Sequence, residues 1–291
     1  EPVPAFEKNG FKLVHCRKCD TLYVNPAPSD TALSTFYLHS KSSKYWANVF
    51  FPAVAEARRR PIYQPRAKRV VGYGENIKRV IDVGAGAGLF LEELHALKPL
   101  ISIAAVEPGA SHAEELRKKQ IKTFEGFASE AACNPDWAGT ADIVTCFEVL
   151  EHVRNPTDLF RDLAALVQPG GIIIVSGLSG SGFDIKLLGA SSKPVSPPHH
   201  LTFLSIAGAE NLLNRCKLDI IEISTPGELD VDIVRNVALQ DPSILKDPGL
   251  RHLILEAEDS ARHNFQESLK KSRKSSHMWI VAQRPNCSAN P

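Results

Sequence analysis

Three glycines at alternate positions follow a short apolar run and precede a second apolar segment. The run covers residues 80–83, and the glycines are Gly84, Gly86 and Gly88. Glycine lets a chain turn sharply with its backbone against a ligand, and a helix that begins there directs free N–H groups at that ligand. The motif therefore predicts a loop that binds a nucleotide-type cofactor. Because the spacing is not the G-x-G-x-x-G of pyrophosphate-binding loops, it favours a cofactor without phosphates.

An acidic residue follows the glycines after about twenty positions. Glu107 ends the apolar run 101–106, which is typical of a strand beside the one that precedes the glycines. At the tip of such a strand a carboxylate can accept hydrogen bonds from both ribose hydroxyls. Glu107 is therefore a candidate ribose ligand, and the alternative is a solvated charge at a strand end.

Two histidines, His199 and His200, lie in a proline-rich loop after the apolar run 172–175. Loops at the carboxyl ends of parallel strands form active sites, and histidine is a common general base near neutral pH. Both residues are therefore candidate catalytic bases. The alternative is a structural role within the loop.

Apolar runs alternate with helical patterns between these residues. Residues 141–147 predict a buried strand, Asn155 and Pro156 predict a helix start, and residues 168–171 predict the end of that helix before a strand at 172–175. Further strands are predicted at 218–224 and 277–282. This β-α-β alternation predicts an α/β fold.

Four motifs in this order resemble the class I S-adenosylmethionine-dependent methyltransferases. They are D-V-G-A-G-A-G from Asp82, V-E-P ending at Pro108, F-E-V-L-E-H-V from Phe147, and Q-P-G-G ending at Gly171. Within that superfamily the chain is most similar to the ubiquinone-biosynthesis-like branch, over residues 77–226. The resemblance implies a Rossmann-like, mostly parallel sheet of seven strands with helices on both faces and an antiparallel last strand.

The resemblance also implies S-adenosyl-L-methionine as the cofactor, with a set of contacts to it. Its methionyl part would lie along the glycine loop, Glu107 would hold the ribose, and Phe147 and Glu148 would lie near the sulfonium. In such proteins an aspartate often hydrogen-bonds the adenine amino group, but that aspartate is absent here. Phe127 and nearby backbone atoms are therefore expected to contact adenine. The implied cofactor-binding residues are Asp82, Gly84, Ala85, Gly86, Gly88, Glu107, Pro108, Phe127, Phe147 and Glu148. A similar family stretch around the histidine loop singles out His200 over His199.

The reaction implied is in-line transfer of the methyl group to a small-molecule acceptor such as a sugar, a nucleotide-sugar or a phenolic metabolite. Residues 227–236 resemble segments of bacterial methyltransferases found beside sugar-modifying genes, although a turn with two solvated aspartates accounts for them equally well. A non-catalytic cofactor-binding protein of the same fold is an alternative. A nicotinamide-dependent oxidoreductase is a third reading, but it leaves the later motifs unexplained.

A C-x-x-C pair, Cys16 and Cys19, predicts half of a zinc site. The segment resembles the N-terminal zinc-binding region of certain sugar C-methyltransferases, in which one C-x-x-C pair precedes another by a couple of dozen residues. Zinc binding is therefore expected only if further ligands lie N-terminal to Glu1.

The composition of the chain limits its possible binding partners and its domain organisation. The 291 residues carry a net charge of +1 and are 43% hydrophobic. This composition predicts one large core or a core plus a small satellite, no nucleic-acid partner and no membrane span. Scattered cysteines favour a cytoplasmic location. We expect an N-terminal extension at 1–70 and a methyltransferase domain at 71–291, with a helical insertion at 227–276 that forms a lid, a homodimer surface or a solvated excursion. Tyr45 and Trp46 are candidates to cap the cofactor through cation–π contacts.

Overall fold

Two β-sheets organise the chain. The computed structural model describes residues 2–41, 45 and 49–286. The described residues form eleven strands, numbered in chain order: β1 (Pro2–Lys8), β2 (Phe11–Cys16), β3 (Leu22–Val24), β4 (Arg79–Val83), β5 (Ser102–Glu107), β6 (Lys122–Glu125), β7 (Ala141–Phe147), β8 (Val167–Leu178), β9 (Thr202–Phe203), β10 (Asp219–Ser224) and β11 (His277–Gln283). The order is β1-β2-β3-β9 in the small sheet and β10-β11-β8-β7-β4-β5-β6 in the large one.

The large sheet confirms the predicted fold class. Strands β4 to β8 pair in parallel, and β11 pairs antiparallel with both β8 and β10. One boundary differs from the prediction, because β8 begins at Val167 and includes the proline and glycines expected to form a turn. A register shift between β7 and β8 near Ala141 accommodates Gly170, whose φ is +77°.

Helices cover both faces of the large sheet. The helices of the described residues are α1 (Asp30–His39), α2 (Phe51–Arg58), α3 (Gln64–Val71), α4 (Leu89–Leu97), α5 (Ala110–Lys118), α6 (Ala128–Ala132), α7 (Pro156–Leu166), α8 (Phe183–Leu188), α9 (Ile206–Arg215), α10 (Asp230–Ala238), α11 (Pro248–Leu255) and α12 (Asp259–Lys271), with a π-helical turn at Arg59–Tyr63. Helices α3, α4 and α5 pack on one face and α6, α7 and α9 on the other. The predicted start of α7 is confirmed, since the Asn155 side chain accepts from the Thr157 N–H and Pro156 is the first helical residue. Over the described ranges, no helix combines the length and the apolar character that crossing a bilayer requires.

The N-terminal residues join the small sheet to the histidine loop. Strand β3 pairs with β9, with Leu22 opposite Phe203 and Tyr23 opposite Thr202. The side chains of Leu13, Leu22 and Phe203 are buried together in this small sheet. The sequence predicted a cysteine knuckle and helices here but no strands. Strands β3 and β9, with three and two residues, are too short to give a hydrophobic period.

The helices α10 to α12 pack with α8 into a separate apolar cluster that includes Val231, Val234 and Ile254. Asp230, in the acidic stretch of the predicted insertion, is buried rather than solvated. Its carboxylate accepts from the Gln266 Nε2–H at 2.9 Å, the Ser275 hydroxyl at 2.5 Å and the Ser276 N–H at 2.6 Å. Asp232 is exposed. These hydrogen bonds connect α10 to α12 and to the segment that leads into β11.

Asp184 gives this region a pH dependence that stability measurements can detect. The side chain is fully buried, and neither carboxylate oxygen has a hydrogen-bond partner among the described residues. Burial, and then the Asp230 carboxylate, raise the pKa of Asp184 to about 6 from its ordinary 3.8. The folded state thus favours the protonated acid, so this stabilisation is complete below pH 4 and is lost as the pH rises through about 6.

We expect Asp184→Asn, which stays neutral, to gain stability relative to the unsubstituted chain as the pH rises from 4 to 7. The gain expected from the pKa difference is about 3 kcal/mol. Urea unfolding of both proteins at several pH values measures it, with the exposed Asp219→Asn as the control. A stability difference that does not change with pH would contradict a protonated Asp184.

Candidate functional site

The glycine loop and the residues predicted to accompany it meet at one edge of the large sheet. Because β4 to β8 are parallel, their carboxyl ends lie at the same edge. The glycine loop follows β4, Glu107 ends β5, Phe127 follows β6, Phe147 ends β7, and the histidine loop follows β8. This edge is the candidate site.

The glycine loop requires glycine at its ends and leaves open space at its centre. Gly84, Gly86 and Gly88 have φ values of +74°, +53° and +77°, in the left-handed region that side chains rarely adopt. A Cβ atom would lie 2.5 Å from Val149 at Gly84 and 2.5 Å from Leu116 at Gly88, whereas at Gly86 it would meet no atom within 4 Å. The backbone is thus accessible to a ligand at Gly86.

Glu107 lies under this loop and is fixed by backbone donors. Its carboxylate accepts from the N–H of Gly86 and from the N–H of Gly109, each at 2.8 Å. The residue is only 7% exposed. An ionised carboxylate offers about four lone-pair positions, so two backbone bonds leave capacity for two hydroxyl donors.

Asp82 lies in β4, two residues before the glycine loop, and connects two strands of the large sheet. The residue is buried, and the Thr145 hydroxyl donates to its carboxylate at 2.6 Å, which links β4 to β7. Burial raises the pKa of Asp82 to about 7. The side chain therefore supports the loop from inside the sheet.

Phe147 belongs to an aromatic cluster at the end of β7. Its ring stacks on Trp279 with centroids 5.4 Å apart and meets the edge of Phe90 at 4.9 Å. The Arg66 guanidinium lies 5.0 Å from its centroid. Phe147 is 9% exposed, so most of its ring is covered by these neighbours.

Glu148 is the centre of a charged cluster at the same strand end. One carboxylate oxygen, Oε1, accepts from Arg66 Nη2 at 2.5 Å, from the Ser176 hydroxyl at 2.7 Å and from His277 Nε2 at 2.9 Å. Burial alone would raise the pKa of Glu148, but His277 and then Arg66 hold it well below its ordinary value. Its φ of +56° directs the side chain into this cluster. Sequence reasoning missed Arg66, Ser176 and His277 as its partners.

Phe127 and Pro108 are exposed at the strand ends where they were expected. The Phe127 side chain is 63% exposed, and its N–H donates to Glu130 at 2.7 Å at the start of α6. Pro108 follows β5 directly and is exposed. Tyr45 is 52% exposed, while Trp46 lies outside the described residues.

The histidine loop is held against the 3₁₀ turn Leu150–His152 that follows β7. His152 Nδ1–H donates to the His199 carbonyl at 2.7 Å, and the Tyr37 hydroxyl donates to the same carbonyl at 3.1 Å. The His199 ring packs edge-on against Phe36 at 4.7 Å. His200 Nδ1–H donates to the Pro194 carbonyl at 2.5 Å, and its ring meets His152 at 4.7 Å. Burial lowers the pKa of His200 and lowers that of His152 to about 3, so both imidazoles are neutral at pH 7.

Two groups of side chains are relevant to metal binding. At the end of β2, backbone N–H groups of Lys18 and Cys19 lower the pKa of the Cys16 thiol, while the Cys19 thiol donates to the Thr21 hydroxyl at 3.3 Å. These cysteines supply two ligands, and zinc at this pair stays a prediction. The described part of the chain has one group of three or more clustered ligands, formed by Glu151, His152 and His200.

Residues 55–223, which are more than half of the chain, match the sequence profile of a family described as "Methyltransferase domain". The chain belongs to this methyltransferase family. The matched region of this methyltransferase domain contains the glycine loop, Glu107 and the histidine loop, and thus most of the candidate site.

Curated relatives agree with this assignment, and solved structures share the fold. A ubiquinone biosynthesis O-methyltransferase from Burkholderia thailandensis is 34% identical over 155 residues, which cover 50% of this chain and 66% of that protein. Across this relative and those of the same name from Burkholderia multivorans and Xanthomonas axonopodis pv. citri, the chain spans 45% to 66% of the relative's length. The methyltransferase domain also has the fold of a S-adenosylmethionine-dependent methyltransferase from Archaeoglobus fulgidus, with a TM-score of 0.54 and 16% identity over 81% of this chain and 100% of that one. The plantazolicin methyltransferase BamL, solved with a triazolic desmethylPZN analogue and SAH, gives a TM-score of 0.56 and 14% identity over 87% of this chain and 94% of that one.

Proposed function

We propose that the carboxyl edge of the large sheet binds S-adenosylmethionine and that the chain transfers its methyl group to a small-molecule acceptor. The main support for this proposal is the hydrogen bonding of the Glu107 carboxylate. Its carboxylate is fixed by the N–H groups of Gly86 and Gly109 and retains capacity for two hydroxyl donors, which is what a ribose presents. Membership of the methyltransferase family supports the same cofactor.

The other predicted residues have complementary roles in this proposal. The open backbone around Gly86 receives the methionyl part, together with Gly84, Ala85 and Gly88, while Asp82 supports the loop from below. Phe127 and the backbone beside it contact adenine. The cofactor supplies an activated methyl group on a positively charged sulfonium, and the chain supplies alignment. Phe147 takes part through its backbone, and the ionised Glu148 contributes negative charge at that end of the site.

A phenolic hydroxyl is the acceptor class that the observations favour. The curated relatives are named as O-methyltransferases of ubiquinone biosynthesis. The acidic stretch that suggested sugar acceptors is partly explained by Asp230, which is buried in a structural network. A hydroxyl acceptor must lose its proton during transfer, and His200 is neutral with Nε2 available to take it. His199 holds the neighbouring His152 through its carbonyl.

Calorimetric titration of the purified chain with S-adenosylmethionine, S-adenosylhomocysteine and NADH tests the cofactor assignment. We expect both adenosyl compounds to bind at micromolar Kd and NADH to give no heat. Binding of NADH alone would instead favour an oxidoreductase, and no binding of any of the three would contradict the proposal. Binding of the adenosyl compounds without turnover of any hydroxyl acceptor would favour a non-catalytic cofactor-binding protein.

A further inference from the structure

The glycine loop keeps its shape through hydrogen bonds, because its three glycines place few restrictions of their own on the backbone. The N–H groups of Gly84 and Gly86 donate to acceptors on β5, each at 2.8 Å. Within the loop, the N–H of Gly88 donates to the Ala85 carbonyl at 2.9 Å. The loop therefore depends on such anchors to stay in one conformation.

Lys119, the residue that follows α5, supplies a further anchor. Its ammonium donates to the Ala87 carbonyl in the glycine loop at 2.7 Å. The same nitrogen lies 3.2 Å from a carboxylate oxygen of Glu92 on α4 and 3.2 Å from one of Glu115 on α5. An ammonium has three hydrogens, and three acceptors surround this one. The Lys119 side chain is 24% exposed, so most of it is covered by the protein.

Glu92 is itself fixed by a second cation. Its other carboxylate oxygen accepts from Arg59 Nη2 at 2.6 Å. Arg59 lies in the π-helical turn before α3, and it also donates to Glu93 at 3.1 Å and to Glu56 at 2.9 Å. Such turns are frequent at functional sites. These contacts form a continuous path from the π-helical turn through Glu92 and Lys119 to the glycine loop.

We propose that Lys119 is a positioning residue for cofactor binding, held at the glycine loop by Glu92. The Ala87 carbonyl and the Gly88 N–H belong to one planar peptide unit, so the bond from Lys119 fixes the direction of both. Without that bond the peptide unit can rotate, because φ of Gly88 is little restricted. A loop that spends a smaller fraction of time in its binding conformation binds its ligand proportionally more weakly.

This role rests on the proposed function, since the ligand of the loop is S-adenosylmethionine in both. The alternative is a purely structural role, because a cation that follows the last turn of α5 stabilises the helix through its dipole. Lys118 has the same place at the end of α5, but it is 72% exposed and pairs with Glu114 at 2.7 Å instead of the glycine loop. Lys118 is therefore the matched control for Lys119.

The test combines ligand binding with hydrogen exchange. Calorimetry measures the Kd of S-adenosylhomocysteine, and hydrogen–deuterium exchange of the ligand-free chain, followed by mass spectrometry, measures the protection of the amides at 84–88. We expect Lys119→Met to weaken S-adenosylhomocysteine binding by roughly 10-fold, since it removes a hydrogen bond from a charged donor. Exchange at 84–88 should become faster, without a comparable change in other segments.

Two further substitutions separate positioning from helix stabilisation. Lys119→Arg keeps the charge and the N–H donors, so it should restore the affinity to within about 3-fold of the unsubstituted chain. Lys118→Met removes the neighbouring charge and should leave the Kd within about 2-fold, because exposed ion pairs contribute little.

Glu92→Ala tests how Lys119 is held. Its loss leaves the ammonium with fewer acceptors, so we expect roughly 3-fold weaker binding of S-adenosylhomocysteine. The double variant of Glu92→Ala and Lys119→Met should bind about as Lys119→Met alone does, because both substitutions act through the Ala87 carbonyl. Effects that multiply in the double variant would overturn the role assigned to Glu92.

Unchanged S-adenosylhomocysteine affinity in Lys119→Met would overturn the positioning role, as would exchange that becomes faster throughout the chain. An unsubstituted chain that does not bind S-adenosylhomocysteine would instead contradict the proposed function. In that case, faster exchange of Lys119→Met confined to 84–88 would still show that Lys119 fixes the loop.

Discussion

Glu107→Ala is expected to weaken binding of S-adenosylmethionine by roughly 10- to 150-fold, or about 1.5 to 3 kcal/mol, which is the range for hydrogen bonds to charged groups. The substitution removes the acceptor proposed for the ribose hydroxyls. It also removes the partner of the Gly86 and Gly109 N–H groups, which hold the two loops at their present separation. Both losses are expected to weaken cofactor binding, because the Glu107 carboxylate lies between the loops that contain Gly86 and Gly109. Calorimetry with S-adenosylmethionine and S-adenosylhomocysteine measures the change.

A second carboxylate provides the control for Glu107. Glu114 is exposed on α5 and pairs with Lys118 at 2.7 Å, so Glu114→Ala removes a charge of the same sign without touching the glycine loop. We expect it to leave the Kd within about 2-fold, as exposed ion pairs contribute little. Equal affinities for Glu107→Ala and the unsubstituted chain would show that the ribose is held elsewhere.

Gly86→Ala is expected to reduce cofactor affinity by roughly 10- to 100-fold in a chain that still folds. The new methyl group meets no protein atom within 4 Å, so the cost to the folded chain is the strain of a side chain at φ +53°, about 1 to 2 kcal/mol. In the complex, the methyl group occupies space proposed for the methionyl part of the cofactor. Overpacking of this kind typically costs about 1 to 3 kcal/mol.

Gly139→Ala is the control that separates the backbone strain of a side chain at positive φ from the loss of space for the cofactor. Gly139 has a φ of +67°, and a Cβ there also meets nothing within 4 Å, but it lies in the turn before β7. Both variants should lose similar stability in urea unfolding, and only Gly86→Ala should lose affinity in calorimetry. If both bind S-adenosylhomocysteine equally well, the cofactor does not approach the loop at Gly86.

The sequence predicted the large sheet well because its central strands are buried on both faces. Residues 141–147 form β7 with the predicted bounds, and the last strand takes its predicted antiparallel place. A continuous apolar run needs no partner to be recognised as a buried strand. The small sheet was missed since β9 contains only two residues, and its pairing with β3 depends on tertiary structure alone.

The candidate site was predictable only where its residues lie in local motifs. The glycine loop and Glu107 form a recognisable pattern, whereas Arg66 and His277 reach Glu148 from 82 and 129 residues away. Glu151 lies within a predicted motif, yet no pattern reveals that its carboxylate is buried beside His200. Such contacts arise when distant segments pack together, and residue spacing carries no signal for them.

The pairing of β3 with β9 has a consequence for synthesis on the ribosome. The β1 to β3 segment leaves the ribosome well before β9, because Leu22 and Tyr23 meet their partners Phe203 and Thr202 only after about 180 further residues have been made. At roughly 5 to 20 residues per second, the edge of β3 remains uncovered for about 10 to 40 seconds in each nascent chain. An uncovered strand edge can pair with other chains, so this interval is the period in which a chaperone would protect the newly made protein.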